Sequence, residues 1–273
     1  MTISIKRHLL DGVPFRTTPN KGGKFASGKP DAIIIHFTGG SSAESSVSWL
    51  QNPQSSASAH VVIGRDGSIV QLVPFDTVAW HAGRSSYGGR SGYNQFSIGI
   101  ELDNPGRLTR TEGGDYVASF GRRYPPEQVI AAVHRNEQRE SFWLTYSEEQ
   151  IDVTFELCSV LAAQYPIREI LGHEEIAPGR KIDPGPAFPL DRLRQRLIQR
   201  GRDEDGDDDA VAVGEVTASK LNFRAAPDTG AALVSAPLPK GTRVEIIGQR
   251  AGWYQARVNG QTGWLSAPYV KTA

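Results

Sequence analysis

The chain is 273 residues long and carries 30 Lys and Arg against 30 Asp and Glu. Net charge therefore gives no pointer to nucleic acid, and no run of about eighteen apolar residues is present to span a membrane. The length suggests two domains, the larger with ample core, and the single cysteine, Cys158, excludes an internal disulfide.

The opening MTISIKRHLLDGVPF has neither the apolar core nor the cleavage pattern of a signal peptide, so export by the usual route is not expected. Residues 32–35 (AIII) read as a buried strand ending at His36, with the turn FTGG after it. Ser41 and Glu44, three apart, predict a capping box for a helix that carries Val47 and Leu50. Residues 60–73 (HVVIGRDGSIVQLV) predict two strands joined around Asp66-Gly67, and residues 97–102 (SIGIEL) alternate as a strand should. Residues 103–146 hold many charges, glycines and Pro125-Pro126 without clear period, and are expected to be a long insertion of unassigned structure.

From Ser147 a helical period begins, with Ile151, Phe155, Cys158 and Ala162 on one stripe, Gln150 completing a cap at Ser147, and Pro166 ending the helix. Cys158 is thereby a core residue. Residues 167–171 then form a short strand, and residues 191–200 a last amphipathic helix stopped by Gly201. Apolar β-branched runs alternating with helical patterns predict an α/β fold around a sheet. Residues 203–209 (DEDGDDD) put six negative charges into seven positions, too many like charges to bury anything. The expected organisation is a first domain over 1–202, an acidic linker over 203–210 and a second domain over 211–273. That second domain shows strand patterns at 214–216, 221–224, 243–247, 253–258 and 262–265 between Gly, Pro and Asn-Gly turns, which reads as a small all-β barrel.

The chemistry concentrates in residues 172–185, GHEEIAPGRKIDPG. His173 and Asp183 are ligand types that suit Zn²⁺, and Lys181 lies two positions before the Asp, on the same face if the segment is extended. The loop is not an HExxH helix, because Ala177 stands where the second His is required and Pro178 opposes a continuous helix. A third ligand is needed, and His36 is the best placed of the remaining histidines, at a strand end and before Gly39-Gly40. A hydrogen-bonded core residue is the competing reading of His36. His60 and His81 also flank strands and can line the cleft without touching a metal. Glu101 is a lone carboxylate among apolar neighbours, where burial raises its pKa toward that of a general base; a solvent-facing Glu on an edge strand is the alternative. Lys181 can stabilise an oxyanion, or else pair with Glu174 or Glu175.

The motifs AIIIHFTGG (32–40), SAHVVIGRDGSIVQLVP (58–74), AWHAG (79–83), NQFSIGIEL (94–102) and GHEEIAPGRKIDPGPAF (172–188), in this order, resemble the zinc-dependent N-acetylmuramoyl-L-alanine amidases of the type 2 family. Those enzymes share a fold with the peptidoglycan recognition proteins. The resemblance implies a mixed central β-sheet flanked by helices and one Zn²⁺ held by His36, His173 and Asp183. It further implies Glu101 as catalytic carboxylate, Lys181 as transition-state cation, and Trp80, His81 and Asn94, beside His60, as candidate substrate contacts. The implied reaction is hydrolysis of the amide between N-acetylmuramic acid and L-alanine in peptidoglycan or muropeptide fragments. The alternative is a non-catalytic peptidoglycan-recognition protein; a cysteine peptidase is disfavoured because Cys158 lies mid-helix.

Residues 211–273 resemble a bacterial SH3-like domain through LNFRAAP (221–227) and GWYQARVNGQTGWLSAPYV (252–270). Its aromatics Trp253, Tyr254, Trp264 and Tyr269 can stack on sugars or peptides, but Trp253 and Trp264 are expected to fill the barrel core. The expected site of action is the bacterial wall or periplasm after delivery without a signal peptide, with cytoplasmic recycling as the alternative.

Overall fold

The structure is a computed structural model that describes residues 3–195, 212–228, 231–250 and 253–272. The chain divides into two compact units, Met1–Ile198 and Gln199–Ala273. The expected acidic linker lies outside the described residues. So does the end of the last helix, of which residues 190–195 are seen.

The first unit is built on a five-stranded mixed sheet of β1 (Ala32–Phe37), β2 (Val61–Ile63), β3 (Ile69–Gln71), β4 (Ser97–Leu102) and β10 (Glu169–Gly172), in the order β10-β1-β4-β2-β3. β10, β1, β4 and β2 run parallel, and β3 pairs antiparallel to β2 across the foreseen Asp66-Gly67 turn. Residues 32–35 are fully buried, which is why β1 reads as an unbroken apolar run rather than an alternation. One sheet face, with Ile33, Ile35, Ile98 and Ile100, packs on helix α2 (Glu148–Gln164) through Phe155, Cys158 and Leu161. Ile151 and Ala162, expected on the same stripe, are only half-buried at its margin. The other face meets helix α1 (Ala43–Gln51) through Val47, Leu50 and Val62.

Two helix caps differ from expectation. The box at α1 is formed by Ser42 and Ser45, each donating a backbone N–H to the other's hydroxyl at 3.2 Å. Glu44 falls one position short of reaching back and pairs with Arg16 at 2.7 Å instead. At α2 the Ser147 hydroxyl accepts the Gln150 backbone N–H as expected, but the Gln150 side chain turns inward and donates to the carbonyl of Ile63 at 2.9 Å.

The 103–146 insertion is a second sheet: β5 (Arg107–Arg110), β6 (Tyr116–Val117), β7 (Arg123–Tyr124), β8 (Val129–Val133) and β9 (Glu140–Leu144), antiparallel in the order β7-β6-β5-β9-β8. Its small core is Leu108, Ala118, Tyr124 and Leu144.

The second unit pairs β11 (Ala212–Val216), β14 (Arg243–Arg250), β15 (Trp253–Val258), β16 (Gln261–Ser266) and β17 (Val270–Thr272) in the order β16-β15-β14-β11-β17, with a separate pair β12 (Lys220–Leu221) and β13 (Leu238–Pro239). β13 and β17 carry no sequence signal that foretold them, and the expected 221–224 strand stops at Leu221, leaving Arg224 an isolated bridge. Asn259 and Gly260 both take positive φ, 50° and 79°, as a two-residue hairpin turn requires. The core is formed by Phe223, Val244, Ala256, Val258, Leu265 and their neighbours. Trp253 and Trp264 do not belong to it. They have the opposite parity to Ala256, Val258 and Leu265 on the paired strands β15 and β16, so they leave the outer face and are half-buried.

Candidate metal centre

His36 and Glu101 are register partners on the parallel strands β1 and β4. Their side chains therefore leave the same sheet face on chains about 4.8 Å apart. On the other side of β1, Gly172 of β10 pairs with Ile35, which brings His173, the next residue, level with His36. His173 opens a one-turn helix, α3 (His173–Ile176), whose start is closed by the Gly172 N–H donating to Glu175 Oε2 at 2.7 Å. The loop then turns back, and the Glu174 N–H donates to the Asp183 carbonyl at 2.8 Å. Residues ten apart in sequence thus stand side by side.

The three side chains converge. His36 Nδ1 lies 2.9 Å from His173 Nδ1, and Asp183 Oδ2 lies 3.0 and 2.9 Å from the two. All three residues are buried. The outer nitrogens assign the tautomers. His173 Nε2 faces the Ala82 carbonyl at 3.2 Å and must carry the proton. His81 Nε2 likewise faces the Ser97 carbonyl at 3.2 Å, so its Nδ1 is an acceptor and takes the His36 Nε2–H at 3.0 Å. Both inward Nδ1 atoms consequently present lone pairs to the carboxylate oxygen. Three lone pairs meeting in a buried spot are repulsive unless a cation sits among them, and two imidazoles with one carboxylate are a donor set that suits Zn²⁺. The separations of 2.9–3.0 Å are about 0.4 Å shorter than the roughly 3.3–3.4 Å between neighbouring ligands of a tetrahedral ion with bonds of about 2.0–2.1 Å, so small outward shifts of the side chains would admit one. The residues present fit a metal ion.

Electrostatics agree. Burial, reinforced by the neighbouring His173, pushes His36 down to about 4, which keeps it neutral and able to ligate. His81 is also driven well down by burial and by the nearby histidines.

Glu101 stands beside this cluster with Oε2 buried and without a hydrogen-bond partner. Burial first, then the Asp183 charge, pushes its carboxyl up to about 8 against the pull of Lys181. Lys181 makes no ion pair among the described residues; Glu174 and Glu175, its alternative partners, are taken by His134, Arg135 and Arg194. A cavity of about 210 Å³ opens beside Glu101, walled by Thr38, Gly40 and the α1 residues Ser46 and Trp49.

Of the four expected substrate contacts, Trp80 is exposed at 39%. The other three are tied into the protein. His60 is fully buried between the Thr77 carbonyl and the Gly99 N–H, each 3.0 Å away. His81 braces His36, and its ring lies so close over Gly99 that a Cβ there would fall 2.4 Å from it. Asn94 Oδ1 accepts the N–H groups of His81 and Ala82 at 3.0 and 2.7 Å, which fixes the turn carrying both. Sequence reasoning missed Arg180, which donates to the carbonyls of Ala82 and Arg84 at 2.9 and 2.7 Å. It also missed His134 of the insertion, bonded to Glu174 at 2.7 Å. Neither interaction leaves a local pattern, since each joins segments some 40 to 98 positions apart.

A sheet that gathers two imidazoles, a carboxylate and an unpaired acid at its strand ends is equipped as a hydrolase, and comparison with known proteins identifies which. The N-acetylmuramoyl-L-alanine amidase family profile matches residues 26–186, and that of the bacterial SH3 domain matches residues 219–271. The chain belongs to the N-acetylmuramoyl-L-alanine amidase family. It is 38% identical to the 1,6-anhydro-N-acetylmuramyl-L-alanine amidase AmpD of Salmonella typhimurium (strain SL1344), over 63% of this chain and 72% of that one. The N-acetylmuramoyl-L-alanine amidase AmiD of Escherichia coli (strain K12) is 32% identical over 61% of this chain and 52% of its own. Among solved structures, a selenomethionine derivative of AmpD matches with a TM-score of 0.50 at 28% identity, over 70% of this chain and 98% of that chain.

Proposed function

We propose that the chain uses a zinc ion, held by His36, His173 and Asp183, to hydrolyse the amide between the lactyl group of N-acetylmuramic acid and the L-alanine that begins the stem peptide. The observation that carries this reading is the meeting of three lone pairs, with both outer imidazole N–H groups committed elsewhere. When bound, zinc supplies Lewis acidity to the scissile carbonyl and acidity to the attacking water. Glu101 takes the proton of that water on a carboxylate oxygen and passes it to the nitrogen of the leaving alanine. Lys181, free of carboxylate partners among the described residues, offsets the negative charge that grows on the carbonyl oxygen. The Ala82 carbonyl holds His173, and His81, itself fixed by the Ser97 carbonyl, holds His36, in the tautomer that ligation needs.

The AmpD relative is named for a 1,6-anhydro-muramyl substrate, which supports muropeptide fragments as substrates here. The bacterial SH3 domain supports a reading in which residues 211–273 retain the enzyme on peptidoglycan, and with it action at the wall rather than in cytoplasmic recycling.

Wild type, Asp183→Ala and Glu101→Gln, incubated in parallel with purified sacculi and with soluble anhydro-muropeptides, test the proposal by mass spectrometry of the products. Wild type is expected to free stem peptides beginning with alanine, and chelation to stop it. Asp183→Ala should lose bound zinc, whereas Glu101→Gln should keep it and lose about 10²- to 10⁴-fold in turnover. Normal turnover by Glu101→Gln would remove the assigned base.

A further inference from the structure

The loop that carries two of the three proposed ligands is closed by a residue that is not a ligand. Glu174 grips both ends: its N–H donates to the Asp183 carbonyl at 2.8 Å, and its Oε2 accepts the Gly185 N–H at 3.0 Å. The residue before it is His173. The spacing between His173 and Asp183 is therefore set by where Glu174 sits.

Glu174 is only 4% exposed, and a buried carboxylate stays in place only if its oxygens are satisfied. Its partners come from the insertion. His134, 1% exposed, approaches Glu174 Oε2 at 2.7 Å. The Asn136 backbone N–H donates to His134 Nδ1 at 3.2 Å, so Nε2 bears the proton and donates to the carboxylate. Arg135 Nε lies 3.4 Å from Oε1, and Asn136 Nδ2 donates to the Glu174 carbonyl at 2.9 Å. Trp143, from the neighbouring strand β9, stacks on the His134 ring with centroids 5.7 Å apart. It also lies against Gly185, where φ is +73° and a Cβ would come within 2.9 Å of the indole. The turn joining β8 to β9, through His134, Arg135 and Asn136, and Trp143 of β9 thus seat the loop from outside.

We infer that His134 is a positioning residue of the metal centre: by hydrogen-bonding Glu174 it fixes the separation of His173 and Asp183, and so makes the added sheet a determinant of affinity for the divalent cation. This rests on the cluster being a zinc site. Partners one shell out from a ligand typically contribute ten- to a hundred-fold in metal affinity.

The test is zinc binding by the full chain, prepared metal-free and titrated in competition with a chromogenic chelator, alongside the unfolding midpoint of the metal-free protein. His134→Leu is expected to weaken zinc by about 10- to 100-fold. His134→Gln, whose side-chain amide can still donate to Glu174, should recover most of that loss. Wild-type affinity in His134→Leu overturns the inference. So does a His134→Gln variant as weak as His134→Leu, which would mean that the ring's packing and not its hydrogen bond is at work. Should His134→Leu fail to fold, the exposed Asn136→Ala carries the question, with several-fold weaker zinc expected and unchanged zinc overturning the inference. A wild-type chain that takes up no zinc overturns the metal centre itself, whereas a zinc-binding wild type with indifferent variants overturns this inference alone.

Discussion

Glu101 occupies a position that favours the acid over the carboxylate, and that preference has a sign that can be measured. Burial, helped by the Asp183 charge, pushes its carboxyl from the ordinary 4.5 up to about 8. Between those limits the native metal-free protein holds a proton that the unfolded chain has released, so stability falls as pH rises from 4.5 to 8. Glu101→Gln removes this penalty. The metal-free variant should gain stability over wild type progressively across that window and hold a constant advantage above it, read from denaturant midpoints at each pH. A constant difference from pH 4 to 9 would contradict the assigned burial. The same environment suits a base that must be poised near neutrality, once a bound cation adds its pull to that of Lys181.

At the scale of the element, what sequence could reveal depended on whether a residue's neighbours in space were also its neighbours in the chain. The proposed ligands were legible, because His36 ends a buried strand and His173 and Asp183 share one loop. The strands β1 and β4 were legible from composition and alternation. The added sheet was not, because its strands are two to five residues long with mostly half-exposed faces, which erases any period. The cap of α1 slipped by one because Ser41, Ser42, Ser45 and Ser46 offer chemically similar choices. Trp253 and Trp264 were given to the core on size, whereas parity on β15 and β16 decides the matter in favour of Ala256, Val258 and Leu265. That correction predicts unequal costs. Phe223→Ala should destabilise the second unit by about 3–5 kcal/mol, and Trp264→Ala by clearly less, in thermal unfolding of the full chain followed through the second unit's signals. Equal losses would return Trp264 to the core.

For the molecule as a whole, buried histidines set the acid limit. His36 and His60 are each pushed by burial from 6.5 to about 4. Unfolding lets them bind protons that the native state refuses, so their contribution is complete above pH 6.5 and is lost as pH falls toward 4. Glu101 acts oppositely above 4.5. Together these groups put the stability maximum of the metal-free protein near pH 6.5, with decline on both sides, a profile that denaturant melts across pH 4–9 would reveal. A plateau running unchanged from pH 4 to 6.5 would exclude neutral buried imidazoles.

The side-by-side pairing of Glu101 with His36 also governs how this enzyme can change over time. Two-residue periodicity means that losing or gaining a single amino acid within β1 or β4 swings everything downstream in that strand to the opposite side of the sheet. Point substitutions near the centre can be graded, but indels there are all or nothing, so tolerated changes of length are expected in the connecting segments. The 103–146 excursion, beginning just after β4 ends, lies where extra chain leaves that phase untouched.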